Sequence, residues 1–356
     1  MAGNILIYGA NGYTGELVAR EAVAAGLRPV LAGRNAAQVG GLARELGLEC
    51  RIFGLEEARA IAEGMAGMQA VLNCAGPFVR TASPLIEACF TTRVSYLDIT
   101  GEIPQFERLA ARSDEAKAAG IMLLPGAGFD VVPSDCLAAH LKARLPSAQR
   151  LTLGILSAGG ISRGTATTSV ENAHQGAKIR RDGRLVTIPV ASLTRRIDFG
   201  RGPVTAVVLP WGDVATAYYS TGIPNIEVYF GFPPAIRRAV VAGGRLAPLL
   251  GLAPVQRLLI ALVRSGQPGP DARQRAAGYS LVWGEVTDDA GGRAVACLRT
   301  PESYQLTALS CVAILHRVLA GDCPTGYQTP STAYGADLGF DLPGVALTDS
   351  AEPVLL

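Results

Sequence analysis

From residue 5 the chain reads ILIY, four apolar positions in a row, then GANGYTG, then a run of small and helix-forming residues, and then a second apolar stretch, PVLAG. The alternation continues along the chain. The spacing predicts a helix over 36–46, a strand at 50–53, a helix at 56–64 and a strand at 70–74. A helix over 82–91, a strand at 94–99, a helix over 103–119 and a strand at 121–125 follow. Segments such as AVLNCAG and IMLLPG are almost continuously apolar, as strands must be when helices cover both faces of a sheet. The fold class expected is α/β, with a doubly wound parallel sheet that binds ligand beyond the carboxyl ends of its strands.

Near residue 150 the pattern changes to β-rich stretches (LTLGILSAG, PVTAVVLPWG, NIEVYFGF, YSLVWGEVT), which suit a second, α+β domain. A late helix, 303–319, carries Leu306, Leu309, Val312, Ala313 and His316 at helical spacing and is expected to pack back on the first domain. The expected division is therefore 1–130 plus about 301–356 for the nucleotide domain and about 131–300 for the second, substrate and dimerisation domain. From Pro324 onward, Gly, Pro and Thr suggest an extended surface tail. Residues 235–263 are strongly apolar, but Arg237, Arg238, Arg245 and Arg257, with Pro248 and Pro254, cut them into pieces too short for the roughly 20 residues of a bilayer crossing. Two short helices are expected there, either a lid on the second domain or a surface that touches lipid or a hydrophobic substrate.

The glycines after the first strand define the first candidate site. Gly9 suits a tight turn, Gly12 leaves backbone bare for a pyrophosphate, and Gly15 lets the helix lie close on the strand. Asn11, Tyr13 and Thr14 fill out this turn. After the second strand, where a carboxylate would hold the ribose hydroxyls of NAD, stand Arg34 and Asn35. A planar guanidinium suits a 2'-phosphate, so the expected cofactor is NADP(H).

Composition narrows the partners. Lys plus Arg number 32 and Asp plus Glu 30, which leaves no basic field for nucleic acid. Seven cysteines show no CxxC pair and no metal-ligand spacing, so no metal is expected and reduced thiols are. The opening residues lack a charged leader, and a cytoplasmic location is expected.

Chemistry should gather at the strand ends, in CAGPF (74–78), YLDITGE (96–102) and PGAGFDVVPSD (125–135). Ala75, Gly76 and Pro77 would flank the cofactor, with Asp98 beside them. A hydride transfer to C=C or C=N needs a proton donor, for which Tyr96 is the first candidate and Glu102 or Asp130 the next. Ser134 and Asp135 can equally be helix caps. His140 and His316 fall inside helices and are read as structural. The turn at 157–174 offers Ser162, Arg163, Thr165 and His174 as an anion or substrate site, or simply a capped helix. No Tyr is followed four residues later by Lys, which excludes short-chain dehydrogenase catalysis.

Taken as a set, YGANGYTG, LAGRN, CAGPF, YLDITGE, GFDVVPSD, the turn at Gly164 and TPSTAYG (329–335) resemble the saccharopine dehydrogenase-like family, near the trans-acting enoyl reductases. The resemblance implies an NADP-binding Rossmann domain made from both chain ends, an intervening α+β domain and a homodimer. It leaves three readings open: reduction of an activated C=C bond in a hydrophobic acyl or polyketide-like substrate that could be carrier-bound, a C=N reductase or amino-acid dehydrogenase, and a non-catalytic, membrane-associated NADP-binding protein. The second domain spends its length on the apolar 235–263 segment and on LTLGIL and VVLPWG, which departs from the polar, Arg-lined pocket a polycarboxylate needs and favours the first.

Overall fold

A computed structural model describes residues 4–350 apart from 173, 201 and 246. In chain order the strands are β1 (Ile5–Tyr8), β2 (Val30–Gly33), β3 (Cys50–Ile52), β4 (Ala70–Asn73), β5 (Ser95–Asp98), β6 (Met122–Leu124), β7 (Arg150–Ser157) and β8 (Ala177–Arg181). They continue as β9 (Arg184–Ile188), β10 (Thr194–Asp198), β11 (Pro203–Val208), β12 (Asn225–Gly231), β13 (Tyr279–Thr287), β14 (Arg293–Pro301), β15 (Gly326–Tyr327) and β16 (Ala346–Ser350). The chain divides into two compact units, one running through Val132 with Tyr304–Leu338 added, the other Pro133–Ser303 with the chain from Gly339.

Among the described residues the first unit holds a parallel, Rossmann-like sheet of seven strands in the order β15-β6-β5-β4-β1-β2-β3. Leu6, Ile7, Leu31, Val71, Leu72, Leu97 and Leu123 are fully buried, so these strands are covered on both faces. Local chemistry fixes the helix ends. Asn35 accepts a hydrogen bond from the Gln38 amide and starts the helix Ala36–Leu46, and Gly47, at φ 64°, stops it. The helix expected over 103–119 is two, Ile103–Ala110 and Ser113–Ala119. At the break Arg112 leaves helical dihedrals and binds Glu87 at 2.5 Å and Glu115 at 2.7 Å. The helix Ser303–Leu319 lies on the end of β6 as expected, with the Ser310 hydroxyl donating to the Ala127 carbonyl at 2.7 Å.

The second unit is built on a mixed sheet in which β12 and β7 run parallel and their other neighbours antiparallel, in the order β10-β11-β12-β7-β13-β14-β16. The hairpin β8–β9 joins it through β12. From Pro324 the described residues do not form the extended tail expected. Gly326 and Tyr327 pair with Met122 and Leu123 as an added parallel strand, and a Thr329–Thr332 capping box starts the helix Pro330–Tyr334. Strand β16 pairs antiparallel with β14, so the expected return of 301–356 to the nucleotide fold does not extend to it. The 235–263 region forms three helices, Pro234–Arg245, Ala247–Leu250 and Ala253–Ser265, where two were expected. Among the described residues no helix is long and apolar enough to cross a membrane, and no cluster of side chains could hold a metal.

Candidate functional site

The turn between β1 and the helix Tyr13–Ala24 can hold only glycine at two positions. Gly9 sits at φ +79°, where a Cβ would meet Ala75 at 2.8 Å, and a Cβ on Gly15 would lie 2.3 Å from the Gly9 carbonyl oxygen. Gly12 is the N-cap of the helix and supplies no side-chain hydrogen bond, so no N-cap side chain stands between the helix amino end and an anion. The turn therefore fits a dinucleotide pyrophosphate, and it brings Ala75 against Gly9. Arg34 is exposed just past β2, and its positive charge opposes the upward push that burial and Glu56 give the Tyr8 phenol. Asn11 and Asn35 converge on Gln38: Asn11 donates to its side chain at 2.8 Å and Asn35 accepts from its amide at 3.1 Å. These two asparagines thus shape the turn. Tyr13 meets Tyr304 edge to face at 5.0 Å, and Thr14 is half-buried beside it in the first helical turn.

The second strand-end turn is organised by a residue that the sequence reading passed over. Asn73 is fully buried; its carbonyl accepts from the Ala75 amide at 3.0 Å, and its amide nitrogen donates to Thr81 and to the Tyr96 hydroxyl, both at 3.2 Å. Gly76 and Pro77, joined by a cis peptide, follow at once. A buried Asn closing a strand before a Gly-Pro pair was the available signal.

Tyr96, the first-choice proton donor, is held inside the sheet. It is fully buried in the core, its hydroxyl donates to Asp98 at 2.9 Å, and burial first, then the Asp98 charge, pushes its pKa well above the ordinary phenol value. Asp98 is likewise fully buried. Its carboxylate accepts from the Thr100 and Gly126 amides, each at 3.0 Å, and so ties the ends of β5 and β6 together. Burial pushes its pKa up to about 6 against the pull of these donors, with Glu102 adding a smaller push.

Glu102 also has a structural role. Its two oxygens accept from the Phe78 and Val79 amides at 3.1 Å and so cap the helix Phe78–Thr92, whose own N-cap, Pro77, has no side chain to do this. Asp130 differs from both. It is half-buried on the turn after β6, accepts no hydrogen bond among the described residues, and burial alone pushes its pKa up to about 7. Gly101 passes so close that a Cβ there would lie 2.8 Å from its Oδ2. Among the described residues, no other carboxyl at these strand ends both lacks a hydrogen bond and is pushed to near neutrality.

In the second unit, Ser162, Arg163 and Ile161 line a cavity of about 310 Å³ together with Leu262, Val263 and Gln267. Ser162 is the cap of the helix Arg163–Asn172, accepting from the Thr165 amide at 3.2 Å, and Thr165 lies outside the lining. His174, offered with them as a candidate, lies outside that helix. It follows it, exposed, 3.4 Å from Gln256 Nε2 and away from the cavity. Ser134 and Asp135 lie inside the helix Val132–Arg144, buried, and Asp135 accepts from Ser220.

Comparison with known proteins agrees with this geometry. Residues 5–124 match the saccharopine dehydrogenase NADP binding domain, which indicates NADP(H) as the cofactor. The chain is 36% identical over 141 residues to the trans-acting enoyl reductase of Mycobacterium leprae (strain TN), covering 37% of this chain and 34% of that one. It is 31% identical over 209 residues to the trans-acting enoyl reductase of Mycobacterium bovis (strain BCG / Pasteur 1173P2), covering 54% and 50%. The matches thus span a third to a half of the length of these relatives. Among solved structures, apo saccharopine dehydrogenase (L-Glu forming) from Saccharomyces cerevisiae superposes with a TM-score of 0.67 at 11% identity, over 98% of this chain and 99% of that one, so the two share a fold. The resemblance read from the motifs thus meets a family-model match over residues 5–124, and the chain shares its fold with that solved structure.

Proposed function

We propose that this protein is an NADPH-dependent oxidoreductase that reduces an activated C=C bond in a hydrophobic acyl or polyketide-like substrate. The observation that carries the reaction is Asp130, a carboxyl at the strand ends of the dinucleotide fold that burial raises to about 7. Bound NADPH would supply the hydride. The glycine turn would hold the pyrophosphate against the amino end of the helix Tyr13–Ala24, and Arg34 would take the 2'-phosphate. Asn73 and Glu102 would fix the backbone at 75–79 against which the cofactor lies. Asp130 would deliver the proton that completes saturation of the double bond.

The relatives named trans-acting enoyl reductase support this chemistry, and so does the cavity, where Ile161, Leu262 and Val263 offer apolar surface beside a single arginine. A saccharopine-type C=N reductase would need Arg163, Arg180 and Arg181 to converge. Arg163 lines the cavity, Arg180 is turned to the carbonyls of Val214 and Gly183 at 2.7 and 2.8 Å, and Arg181 lies outside the lining. A cytoplasmic homodimer is part of the proposal. The test is NADPH oxidation against enoyl thioesters and cyclic imines: enoyl substrates should be consumed. Turnover of imines alone would favour the C=N reading, and NADPH binding with no turnover would favour the non-catalytic one.

A further inference from the structure

Between Glu227 and Asp271 the chain has no carboxylate and five arginines, 237, 238, 245, 257 and 264. In a protein whose basic and acidic totals of 32 and 30 almost cancel, this concentrates positive charge in one stretch. The same stretch is apolar yet stays out of the core: among the described residues from Phe232 to Gly269 none is buried. By contrast, the helix Ser303–Leu319, also rich in aliphatic residues, buries ten.

Large aliphatic side chains are exposed along the stretch. Leu258 is 62% exposed, Leu262 60%, Leu249 55%, Leu252 51% and Ile236 51%. On the helix Ala253–Ser265, Pro254, Leu258, Ala261, Leu262 and Ser265 fall on one side by helical spacing, and all are exposed. The opposite side holds Gln256, which donates to the Glu171 carbonyl at 3.3 Å and so faces the helix Arg163–Asn172. Leu258 therefore points away from that helix, and Leu262, also exposed, reaches the rim of the cavity. Arg237 is half-buried, and Arg238 and Arg257 are exposed in the same carboxylate-free segment.

We propose that the helices Pro234–Arg245 and Ala253–Ser265 dock this protein on an anionic lipid surface, with the leucines in the acyl boundary and the guanidinium groups on headgroup phosphates. Charge selects this occupant. A second copy laid face to face would oppose arginine to arginine with no carboxylate in the segment to relieve them, whereas anionic headgroups complement both the charge and the aliphatic stripe.

The test is co-sedimentation of the full chain with vesicles made of equal parts phosphatidylglycerol and phosphatidylcholine, and with phosphatidylcholine alone. Binding should require the anionic lipid and weaken in high salt. It should fall about tenfold or more in Leu252→Ser/Leu258→Ser and in Arg237→Gln/Arg238→Gln/Arg257→Gln. NADPH binding belongs to the other unit, so unchanged NADPH affinity and an unchanged melting transition serve as folding controls. The proposal is overturned if the chain shows no preference for anionic vesicles, or if the folded variants bind as tightly as wild type. It is also overturned if vesicle binding is absent while the leucine variant turns a self-associated species into monomer on ultracentrifugation.

Discussion

Asp130 accepts no hydrogen bond among the described residues, and burial alone raises its carboxyl to about 7. Between the ordinary carboxylate pKa and that value the folded state holds a proton that the unfolded state has released, so this group's contribution to stability falls as pH rises through that window. Asp130→Asn should therefore melt higher than wild type above pH of about 7, which a calorimetric pH series would check. As a proton donor Asp130 must be protonated, so kcat/KM should decline above pH of about 7. Asp130→Asn should cost roughly 10²- to 10⁴-fold in turnover and remove that decline, with NADPH affinity unchanged. Arg34→Ala should weaken NADPH by about 1 to 3 kcal/mol and leave NADH nearly as before; equal losses by titration calorimetry would show that the guanidinium does not read the 2'-phosphate. Tyr96→Phe removes the hydroxyl donated to Asp98 and should cost about 1 to 3 kcal/mol of stability, with turnover per folded molecule retained. A loss of turnover in stable Tyr96→Phe protein would return Tyr96 to the chemistry.

At the scale of elements, the turn after β1 leaves no room for a methyl group. Gly15→Ala would drive a Cβ to 2.3 Å from the Gly9 oxygen, so the helix must move off the strand and NADPH binding should be lost, as fluorescence titration would show. This turn and the six strands through β6 were legible in the sequence because each is a local pattern, an apolar run ending in Gly or a polar cluster. The roles of Tyr96 and Asp98 were not. Period two places them on one face correctly, but in a sheet covered on both faces it does not say whether that face meets a cleft or a helix. Asn73 and Glu102 work through backbone amides distant in sequence or hidden in a turn, which no spacing reveals. The elements after Pro324 escaped for another reason. A strand of two residues has no period, and β16 is defined by its partner β14, some fifty residues earlier.

For the whole molecule, charge and apolar surface are distributed unevenly between the units. The first unit buries its aliphatic residues in a sheet covered on both faces and keeps its unusual groups, Asp130 and the glycine turn, at the strand ends. The second unit leaves leucines and arginines at its surface beside a cavity of about 310 Å³. A hydrophobic substrate is compatible with both features, since the aliphatic surface continues from the outer helix into the lining at Leu262. The most direct measurement is transfer of deuterium from C4-deuterated NADPH to an enoyl thioester by the full-length chain, read by mass spectrometry of the product. One deuterium on the β-carbon of a saturated thioester, abolished or greatly slowed in Asp130→Asn, is the expected result. An unreduced thioester in the presence of saturating, demonstrably bound NADPH would contradict the account.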